Sequence, residues 1–221
     1  MKFYRSAVVT LPEALLQLTP PALEARLRAA LRPLDTQPTL KIWNHLELEG
    51  MLPADAVLRP AAVLIGLVPR AHGWQILLTR RTENLPQHAG QISFPGGRIE
   101  PTDADAVAGA LRETEEELGI APAHVRPLGL LDIYGTISFY AVTPVLGIVD
   151  AQAVIAPDPR EVAEVFELPL AFVLDPANLK REERLFRGRV RGYYAYAYED
   201  RYIWGATAGM LVNLLERLGA S

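Results

Sequence analysis

Four of the five residues from Glu113 to Glu117 are glutamates, and their spacing could support chemistry. At about 100° per residue on a helix, Glu113, Glu116 and Glu117 lie on one side, whereas Glu115 lies apart from them. Glutamates one helical turn apart repel each other by roughly a few tenths of a kcal/mol. A hard divalent cation, Mg²⁺ or Mn²⁺, prefers carboxylate oxygens and holds substrate phosphates beside them, which reverses the sign of that interaction. The spacing predicts a metal site that acts on phosphates, and the alternative is a solvated acidic surface.

Two glycines and an arginine accompany these glutamates. Gly96 and Gly97 allow the backbone to turn sharply and to approach a ligand closely. Arg112 lies four residues before Glu116, so it can pair with Glu116 or orient a neighbouring carboxylate. This combination favours the metal site over the solvated surface.

A helix must present the glutamates. Thr102 followed by Asp105 fits a capping box, and Gly119 fits a helix stop, so we predict a helix from about residue 103 to residue 118. The glutamates of the predicted site lie opposite its predicted buried face. That face contains Val107, Leu111, Thr114 and Leu118.

Length and composition limit the remaining possibilities. With 221 residues, the chain is long enough for one well-packed domain. The net charge of −4 argues against general binding to nucleic acid or to anionic membranes. The absence of cysteine excludes disulfides, thiolate metal sites and a cysteine nucleophile. The first 20 residues do not resemble a signal peptide, and the longest apolar run, 61–69, is far shorter than the roughly 20 residues of a membrane span. We therefore predict a cytoplasmic protein.

The predicted elements form a mixed α/β structure. Residues 61–69 and 74–81 predict a hairpin that turns at Gly73. Residues 161–174 predict a helix that stops before Pro169 and is followed by an apolar segment. The other predicted elements are short helices within 12–34, a short strand ending near residue 94, strands at 127–134, 137–149, 190–200 and 201–204, and a helix at 205–219. We expect residues 1–58 to form an N-terminal extension, helical in part and packed on the core, and residues 59–221 to form the main domain.

The segment from residue 97 to residue 120 resembles the Nudix box, in which a glycine and an acidic residue precede an Arg-Glu-apolar-x-Glu-Glu-x-Gly-apolar motif. Two features depart from the pattern: Asp103 replaces the first glutamate, with eight rather than seven residues before the arginine, and Thr114 occupies a position that is usually more apolar. The matching residues are Gly97, Arg112, Glu113, Glu116, Glu117, Gly119 and Ile120.

Several expectations follow from the resemblance to the Nudix family. It implies an α/β/α sandwich with a central mixed sheet, and hydrolysis of a nucleoside diphosphate linked to another group, with Mg²⁺ or Mn²⁺ as cofactor. The expected metal ligands are Glu113, Glu116, Glu117 and the Gly96 carbonyl. Glu116 and Arg112 are also expected to act in catalysis. The expected partner is a small-molecule substrate, bound by a monomer or a homodimer.

The segment from residue 77 to residue 97 extends the resemblance to the coenzyme A diphosphatase subgroup of that family. The subgroup's signature begins with LLT-x-R-[ST] and ends with FPGG, and this chain departs from it at Pro86, where arginine is usual. The resemblance implies cleavage of coenzyme A (CoA) to 4′-phosphopantetheine and adenosine 3′,5′-bisphosphate. Arg80, Arg81 and His88 could supply positive charge for the 3′-phosphate. The alternative for Arg80 is an ordinary charge at the end of a strand.

The resemblance also implies a further carboxylate after the box, which binds metal or activates water. Glu161 and Glu164 are the two candidates, and Glu161 is favoured because it would lie in the first turn of the predicted helix. Two other functions remain open. One is hydrolysis of ADP-ribose or another nucleoside diphosphate derivative, and the other is binding of a nucleotide without cleavage.

Overall fold

The computed structural model describes residue 15 and residues 18–36, 41–53, 55–83, 89–186 and 188–220. Five helices lie within these residues: α1 (Pro20–Ala30), α2 (His45–Leu48), α3 (Ala106–Leu118), α4 (Leu170–Leu174) and α5 (Ala206–Ala220). The strands of the same residues are β1 (Arg59–Arg70), β2 (Gly73–Arg81), β3 (Ile92–Ser93), β4 (Gly96–Arg98), β5 (Val125–Leu130), β6 (Tyr134–Gly135), β7 (Tyr140–Val149), β8 (Val162–Pro169), β9 (Leu179–Phe186), β10 (Arg189–Tyr198) and β11 (Arg201–Trp204).

The strands β1 to β8 form a mixed sheet in the described part of the chain. Long apolar strand β1 lies at its centre, parallel to β7 and antiparallel to β2 and β4. The predicted hairpin of β1 and β2 is confirmed, and Gly73 closes it with a φ of 113°, a conformation that side chains of L-residues rarely adopt.

Helices cover both faces of this sheet. On one face, α3 packs over a small apolar core that includes Ala110 and Leu118. On the other face, a larger core includes residues of α1 and α5, such as Leu27 and Leu214. The predicted α/β sandwich with a central mixed sheet is therefore confirmed.

The prediction of a helix beginning near Glu161 is wrong. Residues Val162–Pro169 form strand β8, antiparallel to β2, and a short helix begins only at Leu170. The apolar residues of this segment also match helical spacing, but Phe166 and Leu168 are buried two residues apart, as in a strand. Pairing with β2 provides hydrogen-bond partners for the backbone of this segment, so the segment forms a strand rather than a helix.

Helix α3 begins later than predicted. Its first residue is Ala106, and the side chain of Asp105, rather than that of Thr102, accepts the hydrogen bond from the Ala108 amide at 2.8 Å. The predicted stop is confirmed, because Gly119 has a φ of 69° and its amide donates to the Glu115 carbonyl.

The N-terminal helix α1 lies against α5 and β5. Leu23 and Leu27 are buried in the larger core, and the Arg28 guanidinium donates to the Leu128 carbonyl. Any helix before residue 15 falls outside the described residues, and the boundary at residue 58 stays a prediction. Among the described residues, no helix is long and apolar enough to cross a membrane.

Candidate active site

Three carboxylates, those of Glu113, Glu117 and Glu161, line one cavity of about 760 Å³. Glu113 and Glu117 come from successive turns of α3, and Glu161 comes from the turn before β8. The Asp158 amide donates to the Glu117 carbonyl at 2.9 Å, which ties the turn carrying Glu161 to the end of α3. Burial is the largest cause that raises the pKa of Glu117, and the charges of Glu113 and Glu161 raise it further, so the three carboxylates act on one another electrostatically.

Glu117 is buried, although the helical pattern predicts that it lies opposite the buried face. Glu117 is 5% exposed, and the Gly96 amide donates a hydrogen bond to its Oε2 at 3.3 Å. Burial is the main cause that raises its pKa, from 4.5 to about 7, and the nearby Arg81 guanidinium opposes this rise. The Arg81 Nη1 lies 3.6 Å from the Glu117 Oε1. The prediction that Glu117 faces away from the core is therefore wrong.

The glycine turn is shaped around the two carboxylates. At Gly97, a Cβ atom would lie 2.6 Å from the carboxylate carbon of Glu113, so an alanine there would displace that group. At Gly96, φ is 149° and a Cβ atom would lie 2.4 Å from the Ala62 carbonyl oxygen. The backbone requires glycine at position 96, where β4 runs close to β1, whereas at position 97 glycine leaves room for the Glu113 carboxylate.

Arg112 links the loop before α3 to the first glutamate of the helix. It forms two hydrogen bonds of 3.0 Å with the Asp103 carboxylate, and its Nη2 donates to the Arg98 carbonyl at 2.9 Å. Its Nη1 lies 3.0 Å from one oxygen of Glu113 and 3.0 Å from one oxygen of Glu116. The guanidinium thus orients Glu113 while it anchors the loop before α3, and it does not line the cavity. This geometry supports a positioning role for Arg112.

The predicted carboxylate Glu116 lies outside the cavity lining. Its side chain is 59% exposed and contacts Arg112. Of the three box glutamates, the structure therefore brings Glu113 and Glu117 together and leaves Glu116 at the edge. The predicted metal-binding and catalytic role of Glu116 stays a prediction.

The structure separates the two candidates for the further carboxylate. Glu164 lies in strand β8 and forms ion pairs with Arg80 at 3.2 Å and with Arg201 at 2.6 Å. Glu161 instead lines the cavity. Glu161 lies in the turn before β8 and Glu164 lies within the strand, so they point to different surroundings, whereas the predicted helix would have placed both on one face. The geometry supports Glu161, for a reason that differs from the predicted one.

The predicted substrate-binding residues do not lie together. Arg81 lines the cavity, whereas its neighbour Arg80 points to the other face of β2 and contacts Glu164. The position of Arg80 does not support a contact with substrate. His88 lies outside the described residues, as does Pro86.

The donor atoms of the site suit a hard divalent cation. Within the described residues, no three His, Asp or Glu side chains already converge on one point, and ion pairs join Glu113 to Arg112 and Glu117 to Arg81. The oxygens of Glu113, Glu117 and Glu161 nevertheless share the cavity, and burial raises the pKa of the first two. A cation among them would offset both the burial of charge and the mutual repulsion. The contact that the structure records at Gly96 is made by its amide, and the predicted role of its carbonyl stays a prediction.

Sequence reasoning missed much of the cavity wall. One part comes from the segment before β1, which includes Asn44, Leu48 and Met51. Another part comes from the C-terminal sheet of β9, β10 and β11, of which β9 was not predicted. Its cavity-lining side chains are Arg184, Phe186, Arg191, Tyr193 and Trp204. The available signal was the two-residue spacing of Arg191 and Tyr193 in the predicted strand, because it places both side chains on one face.

Comparisons with known proteins show a family model, relatives and solved structures to which the chain is similar. The NUDIX domain model matches residues 57–187. The uncharacterized Nudix hydrolase NudL of Escherichia coli strain K12 is 40% identical over 188 residues, which cover 80% of this chain and 97% of NudL. NudL of Shigella flexneri is 39% identical over 190 residues, covering 81% of this chain and 98% of that protein. Among solved structures, a Caenorhabditis elegans Ap4A hydrolase complex is 20% identical, with a TM-score of 0.44, and the match covers 50% of this chain and 80% of that one.

Proposed function

Since the chain belongs to the Nudix hydrolase family, and is therefore a pyrophosphohydrolase of nucleoside diphosphate derivatives, we propose that its substrate is CoA or a CoA derivative. Water would cleave the pyrophosphate bond and release 4′-phosphopantetheine and adenosine 3′,5′-bisphosphate. Nudix hydrolases generally need a divalent cation such as Mg²⁺ or Mn²⁺, and we propose the same requirement here.

The observation that carries the choice of CoA is the signature in residues 77–97. Its spacing from Leu77 to the FPGG turn follows that of the CoA diphosphatase subgroup, apart from Pro86. Strand β2 carries Arg81 into the cavity, and the FPGG turn packs against Glu113 and Glu117. Arg81 and the FPGG turn, which belong to the described part of the signature, therefore lie at the same cavity as the acidic residues.

Each residue has a proposed task. Glu113, Glu117 and Glu161 would hold the cation, which neutralises the charge of the diphosphate when bound. Arg112 keeps the Glu113 carboxylate oriented through its two hydrogen bonds to Asp103. Arg81 lies against Glu117 at the cavity wall, where it could contact a phosphate oxygen. Glu117 is buried and Glu113 is partly buried, so the effective dielectric around them is low and strengthens their interactions with a bound cation.

A substrate panel tests this function. We would measure kcat/KM for CoA, dephospho-CoA, ADP-ribose and NADH with Mg²⁺ and with Mn²⁺. The proposal expects CoA to be the best substrate and expects EDTA to abolish its cleavage. Faster cleavage of ADP-ribose would favour the other hydrolase function instead.

Binding without cleavage is the second function to separate. The acidic residues argue against it, because a nucleotide sensor does not need three carboxylates in the same cavity. Tight binding of CoA with no product in the presence of either metal would support the sensor.

A further inference from the structure

Two arginines face each other at the cavity wall on the β9–β10 hairpin. Arg184 and Arg191 are directly opposite in the antiparallel pairing, and both line the cavity. Like charges at directly opposite positions destabilise a sheet. The Arg191 Nη2 donates to the Glu49 carbonyl at 3.1 Å, which leaves its charge without a carboxylate partner there. Arg184 is exposed and forms no ion pair with any described residue. The pair thus concentrates uncompensated positive charge at one place in the cavity.

Two aromatic side chains continue this face of the hairpin. Tyr193 lies two residues after Arg191, so both side chains lie on the same face of β10. Trp204 contacts Tyr193 edge to face, with 5.6 Å between ring centroids, and both rings line the cavity. The Tyr193 hydroxyl donates to the Glu182 carboxylate at 2.9 Å, which fixes the orientation of its ring. Fixed aromatic rings beside a positive charge favour a nucleobase that carries a phosphate nearby.

The cavity carries two groups of like charge, alongside Glu47, which pairs with Arg181 at 3.8 Å, and alongside Arg81, Arg98 and Glu100. Glu113, Glu117 and Glu161 lie on the wall formed by α3 and the turn before β8, whereas Arg184 and Arg191 lie on the hairpin wall. A diphosphate neutralised by a cation suits the first wall. The second wall suits a phosphate monoester, since guanidinium groups bind its oxygens with paired, charged hydrogen bonds. Arg81 is less available for that task because Glu117 lies 3.6 Å away.

We propose that Arg184 and Arg191 bind the ribose 3′-phosphate of the adenosine half of the substrate, with Tyr193 and Trp204 against the adenine. This subsite rests on the proposed CoA function for its role in catalysis. It differs from the sequence-based prediction that Arg80, Arg81 and His88 recognise this phosphate.

Binding of a cleavage product tests the subsite without requiring turnover. We would measure the affinities of the wild-type chain for adenosine 3′,5′-bisphosphate, adenosine 2′,5′-bisphosphate and adenosine 5′-monophosphate by calorimetry. Since a charged hydrogen bond contributes roughly tenfold or more to affinity, we expect the 3′,5′-bisphosphate to bind at least about tenfold more tightly than the monophosphate. Equal affinities for these two ligands, or equal affinities for the two bisphosphates, would overturn the assignment.

Substitutions identify the residues. Arg184→Gln and Arg191→Gln should each reduce the preference for the 3′,5′-bisphosphate about tenfold while leaving monophosphate affinity nearly unchanged. Lys180→Gln is the matched control, because it removes an exposed charge from the same strand at a position outside the cavity lining. Arg184→Gln should not lower the melting temperature, since it removes the like-charge pair. An unchanged preference in both arginine variants would overturn the proposal.

The outcomes for the subsite and for the proposed function are distinguishable. If the wild type prefers the 3′,5′-bisphosphate through these arginines but does not cleave CoA, the CoA function fails and the subsite stands. If the wild type cleaves CoA and Arg184→Gln keeps the same ratio of kcat/KM for CoA over dephospho-CoA, the subsite fails and the function stands.

Discussion

Replacement of Glu117 by glutamine should change the pH dependence of stability in a defined direction. Burial raises the pKa of Glu117 from 4.5 to about 7 in the folded protein. The folded state therefore holds this proton more tightly than the unfolded state does, so the resulting stability is fully present below pH 4.5 and is lost as pH rises through 7. At about 1.4 kcal/mol for each pKa unit, the free energy of unfolding should fall by about 3 kcal/mol across that window because of this group.

Urea unfolding at pH 5 and pH 8 in EDTA measures this effect. With an m-value of about 2–3 kcal/mol per molar urea, the wild-type midpoint should fall by about 1 M between the two pH values on account of Glu117. Glu117→Gln keeps an acceptor for the Gly96 amide and removes the buried charge, so its midpoint should fall less. Glu115→Gln changes an exposed residue of the same helix and should follow the wild type. Saturating Mg²⁺ at pH 8 should stabilise the wild type more than Glu117→Gln, because the cation offsets the buried charge.

Equal pH dependence of the urea midpoint in the wild type and in Glu117→Gln would refute the assignment of the buried charge to Glu117. If the wild type and Glu117→Gln lost the same stability between pH 5 and pH 8 in EDTA, ionisation of Glu117 would not be the cause. A melting temperature that responds equally to Mg²⁺ in both proteins would separately contradict the assignment of Glu117 as a ligand.

Three further predictions concern turnover. Glu113→Gln should lower kcat by about 100-fold or more, since it removes a group that stabilises the transition state, whereas Glu115→Gln should stay near wild type in the same steady-state assay. Glu161→Gln should alter the pH–rate profile of CoA cleavage, and Glu164→Gln should instead lower the melting temperature, because its ion pairs with Arg80 and Arg201 are lost; the reverse pattern would exchange their roles. Gly97→Ala should reduce kcat sharply with a small change in melting temperature, because the added methyl group meets the Glu113 carboxylate, and normal turnover would contradict that contact.

Local patterns were enough to predict much of the fold. The apolar strands of the first hairpin, its glycine turn and the glycine that ends α3 all depend on residues close together in sequence. The segment after Glu161 was predicted wrongly because its apolar spacing fits both a helix and a strand, and pairing with distant β2 decides between them.

The sequence was enough to identify the acidic residues of the site, but not to predict their burial or their neighbours in space. Spacing on a helical wheel identified the glutamates, but it could not reveal that a glycine turn packs over Glu117 and buries it. Arg184 and Arg191 were missed for a similar reason. Nothing near them in sequence shows that the hairpin faces the same cavity as the carboxylates, since that proximity arises from tertiary packing.

The most direct test of the central claim is the ³¹P spectrum of CoA during incubation with the wild-type protein and Mg²⁺. The account predicts that the diphosphate resonances disappear and that two new phosphate monoester resonances appear in equal amounts, those of 4′-phosphopantetheine and of the 5′-phosphate of adenosine 3′,5′-bisphosphate. It also predicts that EDTA or Glu113→Gln prevents this change. Persistence of the diphosphate resonances, or release of inorganic phosphate from the 3′ position in their place, would contradict the account.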